Sequence, residues 1–185
     1  MNCKTMGANA GLSLLEIVAA VAVILTLSAL TFPRLGRYWQ VYTLDSATQM
    51  LSSNLEVARY SAISRRYNAV AQFNVSTSSY EIFEDKNGNG TRDSGERSLG
   101  SYSLPRQVLF SGANLLGPPA NPGGSVSDPI TFGSDRVTFN PAGKINGGLG
   151  TIYLQNGAGD AAALSFNIAS RLKIYRWNKS GNTWN

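Results

Sequence analysis

Hydrophobic and polar positions divide the chain into three stretches of different period. From Leu12 to Phe32 there is one charged side chain, Glu16, and between Ile17 and Phe32 no strongly polar group interrupts the apolar run. At 1.5 Å rise per residue, this segment spans roughly 31 Å as a helix, about the hydrocarbon thickness of a bilayer. A charge within such a segment costs up to about 2.5–3.5 kcal/mol at the membrane centre and less near an end. Glu16 sits one turn inside the start, and its presence requires a specific reason. Pro33 closes the run; a proline removes a helical hydrogen bond and crowds the preceding turn, so a kink is expected there.

The second stretch has a helical period. Leu44, Ala47, Leu51, Leu55, Ala58 and Ala62 recur three and four residues apart, with Asp45, Ser52, Asn54, Glu56 and Arg59 between them. That pattern predicts one apolar face on a helix. Neither Gly nor Pro interrupts residues 38–67, so a single long helix is expected from Leu12 to about Tyr67. From Asn68 onward the period shifts toward two. Expected strands are Ala69–Val75, Tyr80–Glu84, Ser98–Ser103, Val108–Phe110, Ile130–Phe132, Val137–Asn140, Thr151–Leu154, Ala163–Ile168 and Leu172–Trp177, punctuated by Gly- and Asn-rich turns. The fold class that follows is α+β, one long helix packed on antiparallel sheets.

Composition narrows the function. The 185-residue chain is 43% hydrophobic and 15% charged, enough for one domain with an appendage and a buried core. It contains no His, which removes the commonest general base and the Ser–His and Cys–His nucleophile pairs. Its single cysteine, Cys3, allows no intramolecular disulfide. No carboxylate pair stands out, and nothing points to an enzyme or a small-molecule substrate. The formal charge of +5 suits an anionic partner without requiring one.

The N-terminus does not read as an ordinary secretory signal: Lys4 is the only cation before the apolar run, and Ser28-Ala29-Leu30 is a poor cleavage site. Instead, Gly11-Leu12-Ser13-Leu14-Leu15-Glu16, leading into the apolar run, resembles the class III signal of type IV pilins and type II secretion pseudopilins. The resemblance implies that residues 1–11 are a leader, that a prepilin peptidase cuts between Gly11 and Leu12, and that the new Leu12 amine is methylated. It also gives Glu16 a partner, the N-terminal amine of a neighbouring subunit. Two charges about 4 Å apart attract by roughly 4 kcal/mol at an effective dielectric of 20, which would offset much of the cost of burying the acid. Pilins often carry a proline where Pro33 stands.

Two further stretches resemble the GspH/FimT group of minor pilins and pseudopilins. One is Leu55-Glu56-Val57-Ala58-Arg59-Tyr60-Ser61-Ala62-Ile63-Ser64-Arg65-Arg66, which departs from the group at Tyr60 and Ser61. The other comprises Val137–Gly143, Thr151–Leu154 and Ser170–Ile174. The resemblance implies a pilin-like fold with residues 12–37 as the membrane and filament-core half of the helix. Residues 38–67 would be its amphipathic half, and 68–185 a β-rich periplasmic or extracellular domain. The implied subunit sits in the bacterial inner membrane by a single span, then joins other pilins in a type IV pilus or type II secretion pseudopilus, near the tip. A FimT-like alternative is a DNA-contacting minor pilin.

Two local patterns suggest ligands. Asp85, Asn87, Asn89, Asp93 and Glu96 fall at positions 1, 3, 5, 9 and 12 of a calcium-loop template, with Gly90 at position 6. The same residues also suit a long β-hairpin loop, and Lys86 and Arg92 add positive charge to it. Near the C-terminus, Arg171, Lys173, Arg176 and Lys179 interleave with Tyr175, Trp177 and Trp184. Cations and stacking rings of this kind could contact nucleic acid, whereas an edge strand guarded by charges would look the same.

Overall fold

The computed structural model describes residues 13–113, 115–118, 125–167 and 169–185, without the side chains of residues 30–35. Helix α1 runs Leu14–Arg65. The structure forms two compact units that divide between Tyr38 and Trp39.

In the second unit, α1 ends where Arg66 takes a left-handed conformation (φ 60°) and its N–H donates to the Ala62 carbonyl. That residue turns the chain straight into strand β1 (Asn68–Asn74). Strands β2 (Ser79–Asp85), β3 (Ser98–Ser103), β4 (Val108–Phe110), β5 (Arg136–Phe139) and β6 (Ile145–Asn146) follow. The chain closes with β7 (Thr151–Asn156), β8 (Ala161–Phe166), β9 (Leu172–Asn178) and β10 (Thr183–Trp184). Two five-stranded sheets result, in the orders β3-β2-β1-β5-β6 and β10-β9-β8-β7-β4. Every pairing within them is antiparallel.

One core joins the helix to both sheets. The expected helix positions Leu44, Ala47, Leu51, Leu55, Ala58 and Ala62 are all buried, against Phe73, Tyr80 and Phe139 of the first sheet and Phe110, Leu154 and Phe166 of the second. Three small alanines on the helix face let backbone and sheet approach closely, and the leucines fill the space between. Truncating Leu51 or Leu55 to Ala would cost about 2–5 kcal/mol. The second sheet is apolar on its reverse face too, where Tyr153, Ala161, Ala163, Tyr175 and Trp184 pack with Leu115. Burial on both faces explains why β8, Ala-Ala-Ala-Leu-Ser-Phe, shows no alternation and is buried throughout.

Ile130–Phe132 is not a strand. Ile130 makes an isolated bridge to Ile152, and the neighbouring bonds run from Thr131 N–H to the Thr151 carbonyl and from Tyr153 N–H to the Pro129 carbonyl. This segment continues along the edge of β7 that β4 occupies further on. The Asp128 side chain takes the Ile130 N–H instead of a ladder partner, which keeps the pairing to a single bridge.

Candidate assembly helix and surface sites

The first turns of α1 present apolar side chains on every side. Leu14, Leu15, Ile17, Val18, Val21, Val23, Ile24, Leu25 and Leu27 are all exposed, Leu14 to 80%. The two hydroxyls among them are satisfied within the helix: Thr26 donates to the Val23 carbonyl at 2.8 Å and Ser28 to the Ile24 carbonyl at 2.7 Å. A helix can place Ser and Thr in apolar surroundings in this way without leaving a polar hydrogen unmatched. Glu16 lies in the first turn, exposed, where its charge also complements the unpaired N–H groups of the helix start. Among the described residues no helix is long and apolar enough to cross a membrane. The apolar run expected at 12–32 extends past them, since Leu12 and the side chains of residues 30–32 lie outside. Gly11 and the side chain of Pro33 lie outside them as well.

The stretch Leu55–Arg66 has the core face expected of it and, on its flanks, contacts that its sequence does not reveal. Leu55, Ala58 and Ala62 form the core face. On one flank, Ser61 Oγ donates to Glu84 Oε1 at 3.4 Å and Arg65 Nε stands 2.9 Å from the same oxygen. On the other flank, Arg59 donates to the Ser170 carbonyl at 3.2 Å. About two turns of helix therefore hold the first sheet on one flank and the β8–β9 connection of the second on the other. Further up, Asn54 donates to the Tyr80 hydroxyl at 2.8 Å, and the Tyr80 ring stacks on Tyr102 with centroids 5.2 Å apart. Glu84 and Tyr80 were invisible as partners of the helix because their contacts join residues far apart in sequence.

The twelve-residue loop from Asp85 to Glu96 is tied together by its own oxygens. Asp85 is buried, and its two carboxylate oxygens accept the Gly88 N–H at 2.7 Å and the Gly90 N–H at 3.0 Å. Asn87 and Asn89 both donate to Asp93 Oδ2 at 2.7 Å. Glu96 accepts the N–H groups of Lys86 and Asp93. Gly90 has φ 74°, and its carbonyl accepts a bond from Arg136 at 2.8 Å, so the loop folds back over the outer face of the first sheet. That face carries Val70 and Phe83, both buried and both outside the helix-facing core. Among the described residues, no group of three or more His, Cys, Asp or Glu could hold a metal ion.

The basic C-terminal residues are distributed over two faces of β9 and the turn after it. Arg176 pairs with Asp45 of α1 at 2.9 Å, and Lys179 pairs with Asp160 at 2.7 Å. Lys173 lies over the Tyr175 ring, 4.8 Å from its centroid, and Arg171 is exposed just before the strand. The rings point inward: Tyr175 and Trp184 are buried, and Trp184 packs edge-to-face on Trp177 at 5.1 Å. Two of the four cations are therefore matched by acids, and the aromatic surface that stacking bases would need is mostly covered.

Among solved structures, the chain is similar to the minor pseudopilin EpsH of the type 2 secretion system of Vibrio cholerae. One EpsH structure shows 11% identity over 71% of this chain and 94% of that one, with a TM-score of 0.48. A second shows 13% identity over 71% and 92%, with a TM-score of 0.48. The type IV minor pilin FimU of Pseudomonas aeruginosa shows 19% identity over 71% of this chain and 87% of that one, with a TM-score of 0.46. No curated protein sequence matches. The family described as type II transport protein GspH matches residues 47–170, which takes in most of the amphipathic part of α1 and strands β1 to β8. The chain belongs to the GspH family.

Proposed function

We propose that this protein is a minor pilin or pseudopilin, a structural subunit rather than a catalyst. It is cut between Gly11 and Leu12 by a prepilin peptidase and methylated at Leu12. It is held in the bacterial inner membrane by a single span and then built into a type IV pilus or type II secretion pseudopilus, near the tip. The observation that carries this reading is a helix whose first turns expose apolar side chains on all sides, with one acid at Glu16. An all-round apolar helix needs lipid or other helices as its surroundings. A lone carboxylate in those surroundings needs a cation, and the amine freed at Leu12 of an adjacent subunit supplies one. Membership of the GspH family agrees with this reading.

A DNA-contacting role for Arg171, Lys173, Arg176 and Lys179 has less support, because Arg176 and Lys179 are engaged in ion pairs within the body.

Glu16→Ala tests the proposal. The variant should insert into membranes and be processed as the native chain is, yet be depleted from purified filaments at least about tenfold, the loss that about 1.4 kcal/mol would produce. Normal incorporation would contradict the role given to Glu16.

A further inference from the structure

At one end of the second sheet, Asn156 donates its side-chain N–H to the Gln40 carbonyl of α1 at 3.2 Å. The start of β4 lies at the same end, because Val108 faces Asn156. So does the turn after β9, because Lys179 pairs with Asp160 at the turn between β7 and β8. This end of the body carries an exposed aromatic pair: Trp39 is 58% and Tyr42 57% exposed, and their rings meet edge-to-face at 6.1 Å. Leu109 is 54% exposed, and the exposed Arg106 lies two residues before β4. Large rings left open to water at the same end as an aliphatic side chain and a cation call for a partner that is apolar on one side and polar on the other.

Resting on the membrane reading above, we propose that this end of the body sits on the phospholipid headgroup surface before assembly, with Trp39 and Tyr42 as interfacial anchors. Chain connectivity selects lipid as the occupant. Phe32 ends the apolar run and precedes Trp39 by two helical turns, about 10 Å. Headgroups extend a bilayer from about 30 Å of hydrocarbon to about 40–45 Å, and helical side chains lean back toward the helix N-terminus, which shortens the remaining gap. Trp and Tyr concentrate at that level because the ring body is apolar while the N–H or O–H stays hydrated. Arg106 adds attraction to anionic headgroups. In this position the body is held close to the bilayer surface, and incorporation into a filament must detach it.

The full chain reconstituted in phosphatidylcholine–phosphatidylglycerol vesicles tests this, with spin labels placed either on the headgroup or near the acyl-chain end. The headgroup label should quench part of the tryptophan emission, that part should be lost in Trp39→Phe, and the deep label should quench neither protein. Absence of headgroup quenching, or equal quenching of the variant, in vesicles that retain the chain after alkaline carbonate would overturn the proposal. Release by carbonate would overturn the membrane reading itself and this proposal with it.

Discussion

Arg65 Nε stands 2.9 Å from Glu84 Oε1, joining a half-exposed guanidinium at the end of α1 to a carboxylate only 3% exposed on β2. Ser61, one turn earlier, donates to the same oxygen. An acid taken this far out of water is costly unless it is paired, so the contact fixes the axial position of the helix over the first sheet.

Arg65→Ala should therefore lower the stability of the body by about 1–3 kcal/mol, the cost of leaving a buried charged acceptor poorly matched. Arg97, 3.9 Å from the same oxygen, limits the loss. Urea unfolding reads it directly, and an unchanged midpoint would show that the pair does not hold the helix.

Tyr80 should make the fold sensitive to alkali. Burial raises its pKa above the ordinary 10.0; the bond from Asn54 opposes this and Tyr102 adds to it. Burial also raises Tyr153, against a bond from Thr151. Below pH 10 the folded and unfolded chains both keep these protons, and the stability linked to them is fully present. As pH rises through 10 the unfolded chain ionises first, so stability falls until the raised folded-state value is passed. Tyr80→Phe should cost about 1 kcal/mol at neutral pH through the lost Asn54 bond, yet flatten the decline above pH 10. A decline as steep in the variant would contradict this.

The loop from Asp85 to Glu96 should work as a self-locked hairpin. Asp85→Ala frees the Gly88 and Gly90 N–H groups and should speed their hydrogen exchange at least about tenfold, with or without calcium. Millimolar calcium, the weak-binding range of extracellular modules at about 10⁻⁴–10⁻³ M, should leave the melting temperature unchanged. A calcium-dependent rise lost in Asp93→Asn would instead establish a metal site.

Much of this architecture was legible in residue order. The spacing from Leu44 to Ala62 encodes a core face because helical geometry repeats locally, and β3 and β4 fall where alternation and turn residues place them. What stayed hidden depends on contacts between distant residues. β10 is two residues long, too short to carry a period, and exists because Trp184 packs on Tyr153 and Trp177. β6 is equally short and pairs with β5 across the Pro141–Gly143 turn. The C-terminal cations looked like one basic strip until the fold set Arg176 against Asp45, a residue on the helix. The calcium-like spacing of the hairpin was real as spacing, but the fold gives Asp85 backbone N–H groups to hold. Glu16 is the opposite case: its meaning is local in sequence, while the partner proposed for it belongs to another molecule.

The most direct test of the account is mass spectrometry of the N-terminus of the protein purified from its native membranes or filaments. The account requires a chain that begins at Leu12 with a methylated amine. A chain that keeps Met1, or one that begins beyond Phe32, would contradict it.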